Sequence, residues 1–334
     1  MIGIRGHYGY VWDDLGKLPQ VKVVGLSPGT KEDDISCLKS WCKAHGYTPD
    51  IFDDYRNMLD TLTPDIVCVC GPMELHAEMC IEAFQRGIHV FCEKPVATTL
   101  KDFSTLRKAY DNAKVFFAAM MGIRYHPAFY TAWRAVQDGK IGAVRLINTR
   151  KSYKIGKRPA FYQRRPTYGG TIPWVGSHAI DWIYWFSGES FRSVYARHTT
   201  LHNRGNGEME MSALCFFTMT NEVFASVSMD YLRPANAPTH DDDRIRIAGT
   251  DGVIEVRQGE VFLINSQKEG EQKLPALCER TIFRDFVEQI EGKTISLLNG
   301  RETLAVTEAC LLARQSADEN KVMDFGSHFA RPVE

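Results

Sequence analysis

Lys94 stands between Glu93 and Pro95, directly after the apolar run Ile88–Cys92. An ammonium held just past the end of a buried strand can polarise a carbonyl or stabilise a developing alkoxide. His178 carries the one side chain that titrates near neutrality, a natural acceptor when a hydroxyl becomes a carbonyl. Asp181 lies three residues further on, so on a helix the two side chains share a face. It could orient the imidazole, support its charge or only cap a neighbour. Arg124 and Tyr125, with His126 beside them, are further polar candidates for a substrate. His240 and Asp241-Asp242-Asp243 could assemble a metal site, but a solvated turn is the preferred reading and no metal is expected.

The elements that must position these groups alternate in the first third of the chain. Apolar runs at Ile2–Gly6, Val21–Leu26, Asp65–Cys70, Ile88–Cys92 and Val115–Ala119 read as strands, with amphipathic stretches such as Glu74–Arg86 and Thr99–Asp111 between them. That pattern predicts a doubly wound parallel sheet, a Rossmann-type α/β domain over residues 1–122. From residue 123 to 334 the pattern changes. Helices are predicted near Pro127–Gln137 and Ser177–Phe186. Strands follow in succession at Arg192–Thr200, Met209–Thr218, Val223–Asp230, Arg244–Ala248, Gly252–Val256 and Val261–Asn265, after an earlier one at Ala143–Thr149. Short turns between them predict a second α/β domain with an open, largely antiparallel sheet.

A dinucleotide-binding domain needs a phosphate-binding turn after its first strand. Here stands Gly3-Ile4-Arg5-Gly6-His7-Tyr8-Gly9-Tyr10. Gly6 and Gly9 are placed to let amides approach a pyrophosphate, with His7 and Tyr8 between them. The full G-x-G-x-x-G is absent, because Tyr8 and Val11 occupy two of its places, and a plain glycine turn is the alternative. At the end of the second strand, Leu26-Ser27-Pro28-Gly29-Thr30-Lys31 has no carboxylate to bond ribose hydroxyls. Ser27 and Lys31 suit a 2′-phosphate, so NADP is expected ahead of NAD.

The next motifs carry a resemblance. Gly71-Pro72-Met73-Glu74-Leu75-His76 and Gly87-Ile88-His89-Val90-Phe91-Cys92-Glu93-Lys94-Pro95 resemble the TP-x-x-x-H and G-x-HV-x-x-EKP motifs of the Gfo/Idh/MocA oxidoreductases. Arg124-Tyr125-His126-Pro127, Asp138–Val144, Tyr168-Gly169-Gly170-Thr171 through His178-Ala179-Ile180-Asp181-Trp182, Phe283-Arg284-Asp285-Phe286 and Gln315-Ser316-Ala317 continue it in order over almost the whole chain. The resemblance implies hydride transfer between nicotinamide and a sugar, polyol, cyclitol or related hydroxy compound. It implies that Lys94 bonds the reacting oxygen, that His178 is the general acid/base, and that the bond before Pro95 is cis. It places cofactor against Gly6, His7, Tyr8, Gly9, Ser27, Lys31, Gly71, Pro72, His76, Glu93 and Lys94. A ligand sensor that binds dinucleotide with little chemistry, and a redox-assisted glycoside elimination or hydrolysis, are the alternatives.

One departure bears on the substrate. Many family dehydrogenases have an aspartate four residues before the histidine, where this chain has Trp174. An indole can wall a pocket or stack on a sugar face, but it cannot relay a proton. A second feature is the run from 139 to 180, which holds nine bases and no acid. Lys154, Arg158, Arg164 and Arg165 are candidates to bind an anionic group there, with a solvated or subunit-contacting loop as the alternative. Arg124, Tyr125, Arg164, Arg165, Trp174 and His178 form the expected substrate set.

The remaining bounds come from composition. The 334 residues carry 40 Lys+Arg and 41 Asp+Glu, a net charge of -1, which gives no global reason to bind nucleic acid or an anionic membrane. No apolar run is long enough to span a bilayer. The first residues read as a strand and the nine cysteines show no disulfide or zinc spacing, so a cytoplasmic location with buried structural thiols is expected. The resemblance, in turn, implies that the open sheet packs against a second copy, as a homodimer or homotetramer.

Overall fold

The computed structural model describes residues 1–326, which divide into two units. The first comprises Met1–Gly122, Pro166–Gly169 and Arg280–Leu304; the second comprises Ile123–Arg165, Gly170–Glu279 and the chain from Ala305.

In the first unit, β1 (Gly25–Leu26) pairs in parallel with β2 (Asp50–Ile51). β3 (Ile66–Val69), β4 (His89–Cys92) and β5 (Phe117–Ala119) form a second parallel set in that order. Ile2 joins the two sets through parallel bridges to Ser27 and Val69. Counting the Ile2 segment as the first strand, the spatial order is 3-2-1-4-5-6, that of a dinucleotide-binding doubly wound sheet. Its topological switch point lies between the Ile2 segment and β3. The first two strands are shorter than the sequence predicts. At Gly3, with φ of 72°, the chain leaves the extended region directly after Ile2. Helices at Gly9–Leu15, Ser36–Ala44, Tyr55–Leu62, His76–Gln85 and Leu100–Asp111 connect the strands. Cys68, Cys70 and Cys92 are buried, and burial pushes the Cys68 thiol up to about 11.

The second unit is built on one sheet of nine strands. They are β6 (Val144–Lys154), β7 (Phe191–Thr199), β8 (Ser212–Met219), β9 (Phe224–Arg233), β10 (Asp241–Gly249), β11 (Gly252–Arg257), β12 (Glu260–Asn265), β13 (Lys268–Leu274) and β14 (Met323–Asp324). Their order is β13-β12-β11-β10-β6-β9-β8-β7-β14, with only β6–β9 parallel. Alternating burial along β8 and β9 gives the sheet one covered and one open face. The Ser177–Ser187 helix packs on β6 and β9, and the Pro127–Gln137 helix on β11 and β12. Ser177–Phe186 is buried on every side, as a central helix must be when nearly all its residues are apolar. The sequence missed β13, whose Lys/Glu/Gln run is almost wholly exposed; such charges protect an edge strand from further pairing.

One sequence expectation is corrected by β10. Asp241-Asp242-Asp243 is strand rather than a solvated turn, paired in register with Tyr153, Ser152 and Lys151 of β6. Its carboxylates meet the bases of that strand: Asp242 meets Arg150, and Asp243 meets Lys151. Among the described residues no group of three or more His, Cys, Asp or Glu could hold a metal ion.

Candidate active site

In the first unit the motif residues converge where the strands end. Gly6 has φ of 75°, and a methyl on its α-carbon would stand 2.4 Å from Cδ of Glu93. Gly3 lies equally close to the backbone, with its would-be methyl 2.5 Å from the Cys70 carbonyl oxygen. These two glycines are sterically required. Gly9 has open space around it, so no protein atom requires a glycine there. It instead starts the Gly9–Leu15 helix, whose amino end points its partial positive charge toward the turn. The residues present therefore suit a dinucleotide phosphate.

Glu93 is fully buried beneath that turn. Its carboxylate accepts the His7 backbone N–H at 3.0 Å and meets His7 Nδ1 at 2.8 Å. Burial alone would raise this carboxyl, but His7 and Lys94 outweigh burial and hold it below the usual glutamate value. An ionised carboxylate only accepts, so His7 Nδ1 carries the proton. The clamp ties the glycine turn to Lys94, itself 2% exposed. The Lys94–Pro95 bond is cis.

His76 is completely buried, with Nδ1 at 2.9 Å from the Pro95 carbonyl and Nε2 at 3.0 Å from that of Gly71. A neutral imidazole has one N–H, so the two carbonyls compete for it; burial lowers the ring's basicity. His76 therefore laces the Gly71-Pro72 loop to the Lys94-Pro95 segment, and both nitrogens are engaged there instead of facing a cofactor, as the sequence led us to expect. Ser27 is also fully buried and donates its hydroxyl to the Pro28 carbonyl, whereas Lys31 is exposed. The sequence missed Arg5 and Asp33, which pair at 2.9 Å, with Asp33 accepting the Thr30 N–H at 3.2 Å. A carboxylate does stand near the end of β1, delivered by the loop rather than by the strand tip.

A cavity of about 680 Å³ lined by Trp12, Val23, Met58, Val67 and Phe283 lies at the amino ends of these strands. It is on the opposite side of the sheet from the motifs, so we place no cofactor in it.

In the second unit, a π-helical turn, Ile172–Gly176, runs into the Ser177–Ser187 helix. Such turns recur at functional sites because they displace a side chain from regular helical spacing. Trp174 sits in this turn, 8% exposed, edge-on to Tyr162 at 5.7 Å. His178 is 2% exposed. Asp181, expected to support His178, accepts from Arg124: Nε lies 3.1 and 3.0 Å from its two oxygens, and a terminal nitrogen lies 2.6 Å from Oδ1. The Arg124 guanidinium is fully buried, 5.5 Å from the Trp185 ring, and its charge is matched by Asp181 rather than offered to a substrate. Tyr125 is buried, and Arg164 is exposed.

Arg165 is likewise engaged, with Glu210 and Asp318, both at 2.6 Å. Glu210 is a further residue the sequence did not flag. It is 1% exposed, and it accepts the Thr171 N–H at 2.9 Å while its carbonyl takes the Thr171 hydroxyl at 2.7 Å. It anchors the start of the segment that carries Trp174 and His178.

The fold and these motifs define a nucleotide-binding oxidoreductase class. An oxidoreductase family model with an NAD-binding Rossmann fold matches residues 7–121, and the GFO/IDH/MocA C-terminal domain matches 129–255. The chain belongs to the Gfo/Idh/MocA family of NAD(P)-dependent oxidoreductases. It is 45% identical to a solved Thermotoga maritima protein described as an oxidoreductase, with a TM-score of 0.92 over 97% of this chain and 98% of that one. The uncharacterized oxidoreductase YrbE of Bacillus subtilis is 28% identical over 239 residues, 72% of this chain and 67% of that protein. Inositol 2-dehydrogenase of Rhizobium meliloti is 27% identical over 193 residues, 57% of this chain and 56% of that protein. The chain thus spans about two thirds or less of these curated relatives' length. Among the described residues no helix is long and apolar enough to cross a membrane.

Proposed function

We propose that the protein oxidises or reduces a CH–OH group of a sugar, polyol or cyclitol-like compound with NAD(P). The observation that carries this reading is the Glu93–His7 clamp, which fixes Lys94 against the turn that receives the pyrophosphate. The activity of the related inositol 2-dehydrogenase supports the substrate class. The nicotinamide supplies the hydride acceptor or donor. In the oxidative direction His178 takes the hydroxyl proton and Lys94 stabilises the oxygen as it gains charge. Asp181 acts on the site at one remove, by holding Arg124. Trp174 replaces a polar contact with an aromatic wall, so hydroxyl recognition differs from that of a relative with aspartate at this place.

NADP is the preferred cofactor in this reading. Its support has moved from Ser27, which is buried, to Lys31 and Arg5, with Asp33 pulling toward NAD. The test gives purified protein NAD+ or NADP+ with myo-inositol, D-glucitol, D-glucose and D-gluconate, and follows the reduced cofactor. Turnover of at least one compound is expected, with a lower KM for NADP+. Cofactor binding without turnover would favour a sensor. Product without net change in the cofactor would favour elimination or hydrolysis.

The open sheet face supports a homo-oligomer. Leu146, Phe224, Phe216 and Leu214 lie on three neighbouring strands, each exposed, with the Phe216 and Phe224 rings 6.1 Å apart. Light scattering should report a dimer or tetramer that Phe216→Lys dissociates; a wild-type monomer would remove this assignment.

A further inference from the structure

On the covered face of the second unit's sheet, the ends of β6, β9 and β10 set two cross-strand rows side by side. Lys151 is in register with Met229 and Asp243. Two residues on, Tyr153 is in register with Asp241 and its ring lies 6.3 Å from that of Tyr231. Arg158, from the loop after β6, returns over this second row. Its guanidinium stands 4.6 Å from the Tyr231 ring and 5.5 Å from the Tyr162 ring. Tyr162 in turn touches Trp174, one turn before His178.

The hydrogen-bonding account of this cluster does not close. The Tyr231 hydroxyl and Arg158 Nε are buried and have no hydrogen-bond partner among the described residues, although Tyr231 is only 1% exposed. Native interiors satisfy nearly all such groups, and the exceptions call for a reason. The other nearby cations are engaged, Lys151 with Asp243 and Lys154 with the Ala237 carbonyl. Arg158 gives one terminal N–H to the Lys154 carbonyl at 3.0 Å and has no carboxylate partner among the described residues. Two buried donors, one of them charged, therefore lie in neighbouring side chains without an acceptor among the described residues.

We propose that Arg158 and the Tyr231 hydroxyl form a subsite for a carboxylate on the substrate, so that the compound is a sugar acid rather than a neutral polyol. This rests on the reading of the chain as an oxidoreductase of sugar-like hydroxyls, and it narrows that reading. A carboxylate is acceptor-only and satisfies a guanidinium and a phenol at once. The local charge suits a monoanion. Lys151 is cancelled by Asp243 and the Lys154 ammonium is tied to the Ala237 carbonyl, which leaves the Arg158 guanidinium as the cation with an unfilled buried donor. A phosphate dianion would need a second unpaired cation. Burial holds the Tyr231 phenol far above its ordinary value, so it stays a donor. The Tyr162 ring, 5.5 Å from the Arg158 guanidinium and 5.7 Å from the Trp174 ring, connects this subsite to the segment that leads to His178.

The probes are D-gluconate and D-glucitol, which share a carbon chain and differ at one end, carboxylate against hydroxymethyl. Calorimetric titration of the full-length protein should show gluconate binding at least about tenfold more tightly, as a charge-assisted pair requires. Arg158→Leu should abolish that preference. Tyr231→Phe, which keeps the ring over Arg158 and removes only the hydroxyl, should weaken gluconate several-fold and leave glucitol unchanged. Equal binding of the two probes, or a preference surviving Arg158→Leu, overturns the proposal. So does inorganic phosphate displacing gluconate better than acetate does. Gluconate binding through Arg158 without turnover of any probe would instead remove the oxidoreductase reading and leave the subsite standing.

Discussion

Replacing Lys94 with methionine is expected to lower turnover by about a thousandfold or more and to leave cofactor affinity within about twofold. Positioned electrostatic stabilisation of a developing oxyanion is worth roughly 100- to 1000-fold per donor, and a charged donor in a dry site lies at the upper end. Methionine keeps the unbranched stem and removes only the charge. The glycine turn proposed to receive the pyrophosphate depends on that charge only weakly, since His7 does more than Lys94 to keep Glu93 ionised. It depends on Gly3, Gly6 and the Glu93 carboxylate, which is held by the backbone and ring of His7. Fluorescence titration with NADPH measures the affinity, and single-turnover kinetics measure the chemical step. A loss confined to KM would mean that Lys94 only binds. Unchanged kcat would remove it from the reaction altogether.

That separation between the lysine and its support was only half legible in the sequence. Glu93-Lys94-Pro95 announces itself as three adjacent residues after a buried strand, and local order is what a sequence displays. The partner of Glu93 is His7, which belongs to the first turn of the unit, and no local pattern links the two. The same holds for Arg5 with Asp33, and for Thr171 with Glu210. The alternation of strand and helix over the first 122 residues gave the parallel sheet, because burial on both faces leaves continuous apolar runs. Polar strands were less legible. β13 and the start of β10 are made of residues that ordinarily seek water. Asp243 is nearly buried only because β10 lies in register with β6 and brings Lys151 opposite to it. Register is a property of the paired sheet, and it is invisible along one strand.

The basic tract from 139 to 180 shows the same limit from the other side. Its charge excess is plain in the sequence, but the sequence cannot say which charges are already matched. The structure matches Arg150 and Lys151 with β10 carboxylates and Arg165 with Glu210 and Asp318. A count of bases overstates the anion-binding capacity of the segment: Arg164 is exposed, Arg165 is held by two carboxylates and Lys154 by the Ala237 carbonyl, which leaves Arg158, whose buried Nε has no acceptor among the described residues.

Asp181→Asn is expected to be the most destabilising substitution considered, costing about 3–5 kcal/mol, because it leaves one buried charge without its partner. The variant keeps the size of the side chain, so no cavity complicates the comparison. What it removes is the carboxylate charge set against a guanidinium that is 0% exposed, at contacts of 3.1, 3.0 and 2.6 Å. For a chain of this length, such a loss lowers Tm on the order of 10 °C. Arg124→Met combined with Asp181→Leu should regain much of it, since replacing both members of a buried pair by apolar groups removes the stranded charge. His178→Gln, which keeps most of the side-chain volume, should lose turnover with a smaller change in Tm. If Asp181→Asn instead leaves Tm unchanged and lowers kcat with an altered pH profile, the carboxylate serves the imidazole, and Arg124 does not need it. The two outcomes separate on one thermal scan and one pH series, because a residue that holds a neighbour's charge and a residue that tunes a proton acceptor register in different measurements.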